Sequence, residues 1–244
     1  MKVDYNYDQN EHGTHGPQKA LPILLEDLNP ISLLDVGCGN GTWISAAQMM
    51  GISDFIGVDG NELASRQLLF PPSHFKMQDL TKEWCLNRKF DVAICLEVAE
   101  HLDERYASVL IDTLIKHSSV IVFSAASPNQ PGQHHVNLQW PKYWQELFNQ
   151  HGYSCTDSLR WKIWDDDTIE PWYRQNVMKA IYNPEMAGRE PRIPSVIHPE
   201  IMKKIILSDF RFRFEKGELP FRLYVTTTLT AISRRVFKRL KANL

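Results

Sequence analysis

Nowhere in its 244 residues does this chain carry an uninterrupted apolar run of about 18 residues, the length a membrane-spanning helix requires. Met1, Lys2, Val3, Asp4 and Tyr5 open no apolar signal region either, so a cytoplasmic protein is expected. Cysteine is sparse. Cys38, Cys85, Cys95 and Cys155 have no C-x-x-C spacing, which removes the common zinc and dithiol motifs and leaves reduced, mostly buried thiols as the expectation. An excess of positive charge is also missing. A net charge of −2 argues against a surface built to coat nucleic acid. Internal repeats and low-complexity segments are absent, which sets solenoids and linker-like chains aside.

What is present is the composition of one substantial globular domain, with 43% hydrophobic and 23% charged residues and enough length for an extension or lid. The charge is unevenly spread. Residues 203–244 hold 11 Lys and Arg against 3 Asp and Glu, so the body of the chain is acidic and its tail basic. Glycine numbers only 12, yet three glycines fall within five residues at Gly37, Gly39 and Gly41.

Those glycines end a short apolar run at 31–36 and precede an apolar stretch at 42–50, the pattern of a buried strand, a tight loop and a helix. Glycine there permits positive φ and a close approach of backbone to ligand. Such a unit binds nucleotide-like molecules at the carboxyl end of a sheet. The spacing is G-x-G-x-G, not the dinucleotide G-x-G-x-x-G, and the Gly-Lys-Ser/Thr ending of a phosphate loop is missing. Asp35, two residues before Gly37, can orient the loop or reach a ligand ammonium through water. Asp59 ends a second strand-like run at 54–59, 18 residues after Gly41, where a doubly wound fold places the carboxylate that accepts from ribose hydroxyls.

The apolar strand closing in D-x-G-x-G-x-G resembles the first motif of the class I S-adenosylmethionine (SAM) methyltransferases. A second string, F-D-V-A-I-C-L-E-V-A-E-H-L over 90–102, resembles the fourth motif of members that modify small molecules and sugars. A third, His135-Val136-Asn137-Leu138-Gln139-Trp140-Pro141, resembles the G-H-V-N motif of uncharacterised or glycan-modifying members. The resemblance covers about residues 31–182. It implies an α/β, Rossmann-like, seven-stranded and mostly parallel sheet with helices on both faces and an antiparallel last strand, here followed by a C-terminal extension. It also implies SAM as cofactor, with Asp79 meeting the adenine amino group and the Leu80 amide a ring nitrogen. No metal ligand set is expected. The run Asp165-Asp166-Asp167 reads as a solvated turn and helix cap, because nothing there fixes an octahedral cage.

The remaining elements follow the pattern of apolar residues. Helices are expected at 19–28, with Pro22 in the first turn, and at 62–69, 103–116 and after Pro141. Residues 1–17 read as a loop in which His12 to His15 could line the site or lie on the surface. Strands are expected at 74–77, 90–96, 118–124, 153–159 and 175–182, the last two as an antiparallel pair. Asp91 begins its strand too early to touch substrate and should anchor a neighbouring turn. Glu97 and His101, four apart, would share a face of a helical turn. Glu97 could hold His101 or contact the cofactor, and His101 could act as base, orient the methionine end or be structural. On the 13-residue loop 125–137, His135 rather than His134 should face the site, and it is the first choice of base with His101 second.

Trp161, Trp164, Trp172 and Tyr173 suit sugar stacking, an apolar acceptor or a core. These features favour O-methylation of a sugar, a glycan precursor or another small-molecule hydroxyl, ahead of a small aromatic or quinone-like acceptor. The Asn/Asp-Pro-Pro-Tyr signature of amino-DNA methyltransferases is missing where Leu96-Glu97-Val98-Ala99 stands, so no nucleic acid is expected. An NAD-dependent oxidoreductase and a non-catalytic SAM-binding or partner-binding domain are the alternatives. The domain is expected over 1–182 with its N-terminal helix as a lid, and an extension over 183–244. In residues 230–244 a basic amphipathic stripe could rest on an anionic membrane surface or dock on its own domain. Oligomeric state is not legible.

Overall fold

The computed structural model describes residues 13–61 and 68–230. The helix expected at 62–69 therefore falls largely outside the described residues, as do His12 and nearly all of the basic stripe at 230–244. Residues up to Ile201 form one compact unit and those from Met202 a second.

The first unit is a seven-stranded sheet. Its strands are β1 (Ser32–Val36), β2 (Asp54–Asp59), β3 (Phe75–Met77), β4 (Val92–Leu96), β5 (Val120–Ser124), β6 (Tyr153–Thr156) and β7 (Met178–Tyr182). They lie in the order β3-β2-β1-β4-β5-β7-β6. Pairing is parallel from β3 through β5, whereas β7 runs antiparallel to both β5 and β6. One strand is reversed, so the carboxyl ends of β1, β2, β4 and β5 all emerge at the same edge. Ligands of open α/β sheets sit at this edge.

Alternation along each central strand divides the core in two. Leu34, Val36, Ala93, Cys95 and Phe123 point to one face, where they meet Leu110, Ile111 and Leu114 of α3 (Ala107–His117) and Trp144 and Phe148 of α4 (Pro141–Gln150). Leu33, Val92, Ile94, Leu96 and Val122 point to the other. There they meet α1 (His15–Leu24), α2 (Thr42–Met49) and α5 (Ser158–Ile163) through Leu21, Leu24, Ile44, Leu159 and Ile163. Helices cover both faces, which is why the strands read as continuous apolar runs rather than alternating ones. Each fully buried Leu, Ile or Phe contributes roughly 1.5–3 kcal/mol of transfer free energy. Asp91 ties β1 to β4: its Oδ2 accepts from the amides of Ile31 and Ser32 at 2.8 and 2.9 Å.

Several elements depart from the expectations. Helix α1 begins at His15, so residues 15–17 are helical rather than loop, and Pro22 lies inside the helix instead of in its first turn. Gly16, Pro17, Ala20, Leu21 and Leu24 are buried along it, so packing offsets the missing proline donor. The strand expected at 153–159 stops at Thr156 and turns into α5, while 171–176 form a short helix, α6 (Pro171–Asn176). In both places, Leu159 and Ile163 or Arg174 and Asn176 gain burial from helical spacing that the apolar count alone does not distinguish from a strand.

The segment after β7 stays with the first unit. Gln145 donates to the Pro191 carbonyl and accepts from the Ile193 amide, and the buried His198 amide donates to Gln175 at 2.7 Å. Glu190 accepts from Gln145, Asn149 and the Cys155 amide. Cys38, Cys95 and Cys155 are buried thiols, and Cys85 is exposed. Helix α7 (Pro199–Glu215) follows; in the second unit residues 221–230 are also helical, and Phe214 packs on Tyr224. Among the described residues, no helix is long and apolar enough to cross a membrane.

Candidate functional site

At the carboxyl end of β1 the chain reverses on three glycines with φ of +81°, +53° and +90° at Gly37, Gly39 and Gly41. The Gly37 and Cys38 amides both donate to the Val58 carbonyl, at 2.7 and 3.0 Å, which stitches the loop to β2. At Gly37 a Cβ would lie 2.2 Å from Val98 Cγ2, and at Gly41 one would lie 2.2 Å from Phe70 Cδ1. Glycine is therefore required twice over, by the left-handed backbone and by the side chains packed against it.

Two carboxylates underlie this loop. Asp59, 3% exposed, accepts from the Gly39 amide at 2.9 Å and from the Asn61 amide at 2.8 Å. One oxygen thus holds the glycine loop and the other the turn after β2. Asp35, also 3% exposed, has no hydrogen-bond partner on Oδ2 among the described residues. Burial, and then the negative charge of Asp59, hold the Asp35 carboxyl well above the usual carboxylate range. A cationic donor placed there would restore its ionised form.

Asp79 accepts from the Thr81 amide and hydroxyl, at 3.0 and 2.5 Å. Burial opposes ionisation of Asp79, whereas these bonds pull the group below the usual carboxylate range. It therefore caps a turn beside the buried Leu80 while remaining ionised.

The carboxyl ends of β4 and β5 are built differently. Glu97 directly follows β4 with φ +56°, a left-handed conformation uncommon outside glycine. The helical turn expected to place Glu97 and His101 on one face does not form; only Ala99–His101 make a 3₁₀ turn. The Glu97 carboxylate instead accepts from the side-chain amide of Gln130 at 3.1 Å and from that of Asn176 at 3.1 and 3.3 Å. Gln175 and Asn176 both donate to Gln130 Oε1, and Ser127 donates to Asn176 Oδ1, giving a buried amide network that spans β4, the 125–137 loop and α6. Burial raises Glu97 above the ordinary range, and these donors pull against it.

The loop 125–137 is pinned across this edge. The amides of Val136 and Asn137 donate to the Glu100 carbonyl at 2.9 and 3.1 Å, so the residue preceding them, His135, comes to rest beside His101. The two imidazole rings are 5.1 Å apart. His135 Nδ1 is 3.0 Å from the Gln130 carbonyl, and because a carbonyl only accepts, Nδ1 carries the proton and Nε2 the lone pair. His134 is exposed and presents its carbonyl to His101 Nδ1 at 3.4 Å. Burial depresses both imidazoles, His101 to about 4, so each is neutral near pH 7. Tyr173, on α6, meets Trp43 of α2 edge-on at 5.0 Å, while Trp161 packs at a tilt against Trp164 and Trp164 against His198.

The structure thus gathers Asp35, Gly37, Gly39, Gly41 and Asp59 on the β1–β2 side and Glu97, His101 and His135 on the β4–β5 side. Glu100, Gln130, Gln175 and Asn176 were missed in the sequence. Glu100 had a signal in the doubled acid of E-V-A-E-H, but the three amide side chains carry no motif of their own.

The sequence matches the family model described as a methyltransferase domain over residues 10–165. No curated protein matches it in sequence. Among solved structures, DesVI of Streptomyces venezuelae has a TM-score of 0.55 at 13% identity, covering 69% of this chain and 91% of that one. The plantazolicin methyltransferase BpumL, in complex with a pentazolic desmethylPZN analogue and S-adenosylhomocysteine (SAH), has a TM-score of 0.52 at 16% identity, covering 75% and 90%. The methyltransferase domain of bacterial CtHen1 has a TM-score of 0.52 at 16% identity, covering 69% and 97%. These likenesses are to the fold.

Proposed function

Because the chain belongs to the methyltransferase-domain family and takes SAM as its cofactor, we propose that it methylates a hydroxyl of a sugar, a glycan precursor or another small molecule. One observation carries this reading: Val98 fills the space a Gly37 side chain would need, so the glycine loop and the Glu97–His101 segment are in direct contact. A group held by the loop and a group beside the imidazoles would be neighbours.

The residues of the β1–β2 side fit the cofactor. The partnerless Asp35 oxygen suits the ammonium of its methionine moiety, directly or through water. Asp59, at the end of β2 beside the glycine loop, suits the ribose hydroxyls, and Asp79 with the Leu80 amide suits the adenine edge. When bound, SAM supplies both an electrophilic methyl and its leaving group.

The chain then has to align the acceptor, exclude water and manage one proton. A hydroxyl is a poor nucleophile at neutral pH, and the neutral imidazoles of His135 and His101 are the groups placed to activate it. His135, its Nδ1 fixed on Gln130, presents Nε2. The Gln130–Asn176–Glu97 network holds that loop in place. The overall charge of −2 supports a small-molecule or glycan acceptor over nucleic acid.

The test is an acceptor screen with methyl-labelled SAM against nucleotide sugars, glycans and small phenols, read by mass spectrometry. Methyl transfer to a hydroxyl, abolished in His135→Gln while SAM binding persists, is the expected result. Transfer only to amines, thiols or carbon would contradict the reading.

A further inference from the structure

Glu100 is the most deeply placed acid of the site, 0% exposed, and among the described residues neither of its carboxylate oxygens has a well-formed hydrogen bond. The Ala126 amide and the Glu97 carboxyl are its neighbours. A buried carboxylate held only by these neighbours is costly to ionise unless a cation compensates its charge. Two neutral imidazoles stand in front of it. One oxygen of Glu100 and one nitrogen each from His101 and His135 all lie within 4.8 Å of one another, and this is the metal-compatible cluster found among the described residues.

We propose that Glu100, His101 and His135 bind one divalent cation of the zinc or manganese class.

The donor set suits it. Two imidazole nitrogens and a carboxylate oxygen are ligands for zinc and first-row transition metals, whereas Mg²⁺ and Ca²⁺ favour oxygen alone. Bonds of about 2.0–2.2 Å place such donors roughly 3–4 Å apart, so closure onto a cation needs side-chain shifts of about 1 Å or less. The ring orientation is prepared. His135 Nδ1 is held by the Gln130 carbonyl, the arrangement in which a backbone carbonyl fixes the tautomer and turns Nε2 toward a metal, and the carbonyl of His134 lies against the His101 ring. The Glu100 carbonyl carries the staple to Val136 and Asn137, so the two ligating segments are held together by backbone bonds independently of any ion. Glu97 stands behind Glu100, clamped by Gln130 and Asn176, and positions it without being counted as a ligand.

This rests on the reading of the site as one that activates a hydroxyl, and it names the means. Three protein ligands leave coordination positions open, and an acceptor hydroxyl bound there becomes more acidic. Its proton is released to water on the half-exposed side of the imidazoles, and the alkoxide remains on the cation as nucleophile. His101 and His135 would then act as ligands rather than as bases.

The experiment is calorimetric titration of the chelator-stripped full chain with Mn²⁺ and with Zn²⁺, alongside SAM binding and circular dichroism of every variant. One site per chain is expected, weakened at least tenfold in His135→Gln, His101→Gln and Glu100→Gln and unchanged in His151→Gln, a histidine paired with Asp112 elsewhere. Should Glu100→Gln fail to fold, His135→Gln decides, because its side chain is only half-buried. No stoichiometric site in the wild-type chain, or equal affinity in His135→Gln and wild type, overturns the proposal. Failure of the proposal and failure of the functional reading separate cleanly: hydroxyl methylation that proceeds in excess chelator sinks the cation alone, whereas a bound cation without transfer to any hydroxyl sinks the functional reading alone.

Discussion

The two halves of the sheet edge are made from different materials. At β1 and β2 the site is backbone: three glycines with positive φ, amides turned onto the Val58 carbonyl, and two carboxylates beneath them. At β4 and β5 it is side chains: a buried and a half-buried glutamate, two histidines and an amide network contributed by residues as far apart in sequence as Glu97 and Asn176. A half built on backbone tolerates almost no change at its glycines but depends little on distant partners. A half built on side chains depends on long-range contacts and can be retuned. The first should govern cofactor binding and the second turnover.

The largest effect should come from breaking the first half. In Gly37→Ala the new Cβ clashes with Val98 and the residue is forced into a left-handed conformation, so a loss of about 2–4 kcal/mol of stability is expected, with SAM binding abolished. Denaturant unfolding and calorimetry check it. Combining it with Val98→Ala removes the clash but not the strain, so the double variant should recover part of the stability. A strictly additive pair would disprove the contact that joins the halves.

Next in size is a break in the second half alone. His135→Gln should lower the rate of methyl transfer about 10²–10⁴-fold in single-turnover assays, with SAM affinity within twofold of wild type. Asn176→Ala should cost about 1–3 kcal/mol in chemical unfolding, since it strips a donor from Glu97 and one from Gln130 and leaves the Ser127 hydroxyl without its acceptor. Stability unchanged by Asn176→Ala would mean that the network does not hold this side together. The smallest effect is expected at Asp91→Asn, far from the chemistry: it weakens the tie to the Ile31 and Ser32 amides and should lower the melting temperature slightly while leaving SAM affinity unaltered.

The same contrast explains what could be read from residues alone. The sheet was legible because its central strands are buried on both faces and appear as apolar runs, and the glycine loop was legible because positive φ demands glycine at fixed spacing. Asp35 and Asp59 followed from their positions relative to that loop. The β4–β5 side was only partly legible. Glu97 and His101 stood out, but their separation suggested a shared helical face, and the left-handed Glu97 breaks that turn and hands the place beside the histidines to Glu100. Gln130, Gln175 and Asn176 acquire meaning only when the 125–137 loop and α6 close over β4, a juxtaposition no local spacing encodes. Helix α5 and α6 were hidden for a related reason, since six-residue segments are too short for helical and strand periodicity to separate.

The most direct test of the account is calorimetric titration of SAM, SAH and NAD into the wild-type chain, Asp59→Ala and His135→Gln. The account predicts that wild type binds SAM and SAH but not NAD, that Asp59→Ala loses at least tenfold in affinity for both, and that His135→Gln binds both as wild type does. Binding of NAD in their place, or equal loss in the two variants, would contradict a site divided into a cofactor half and a reacting half.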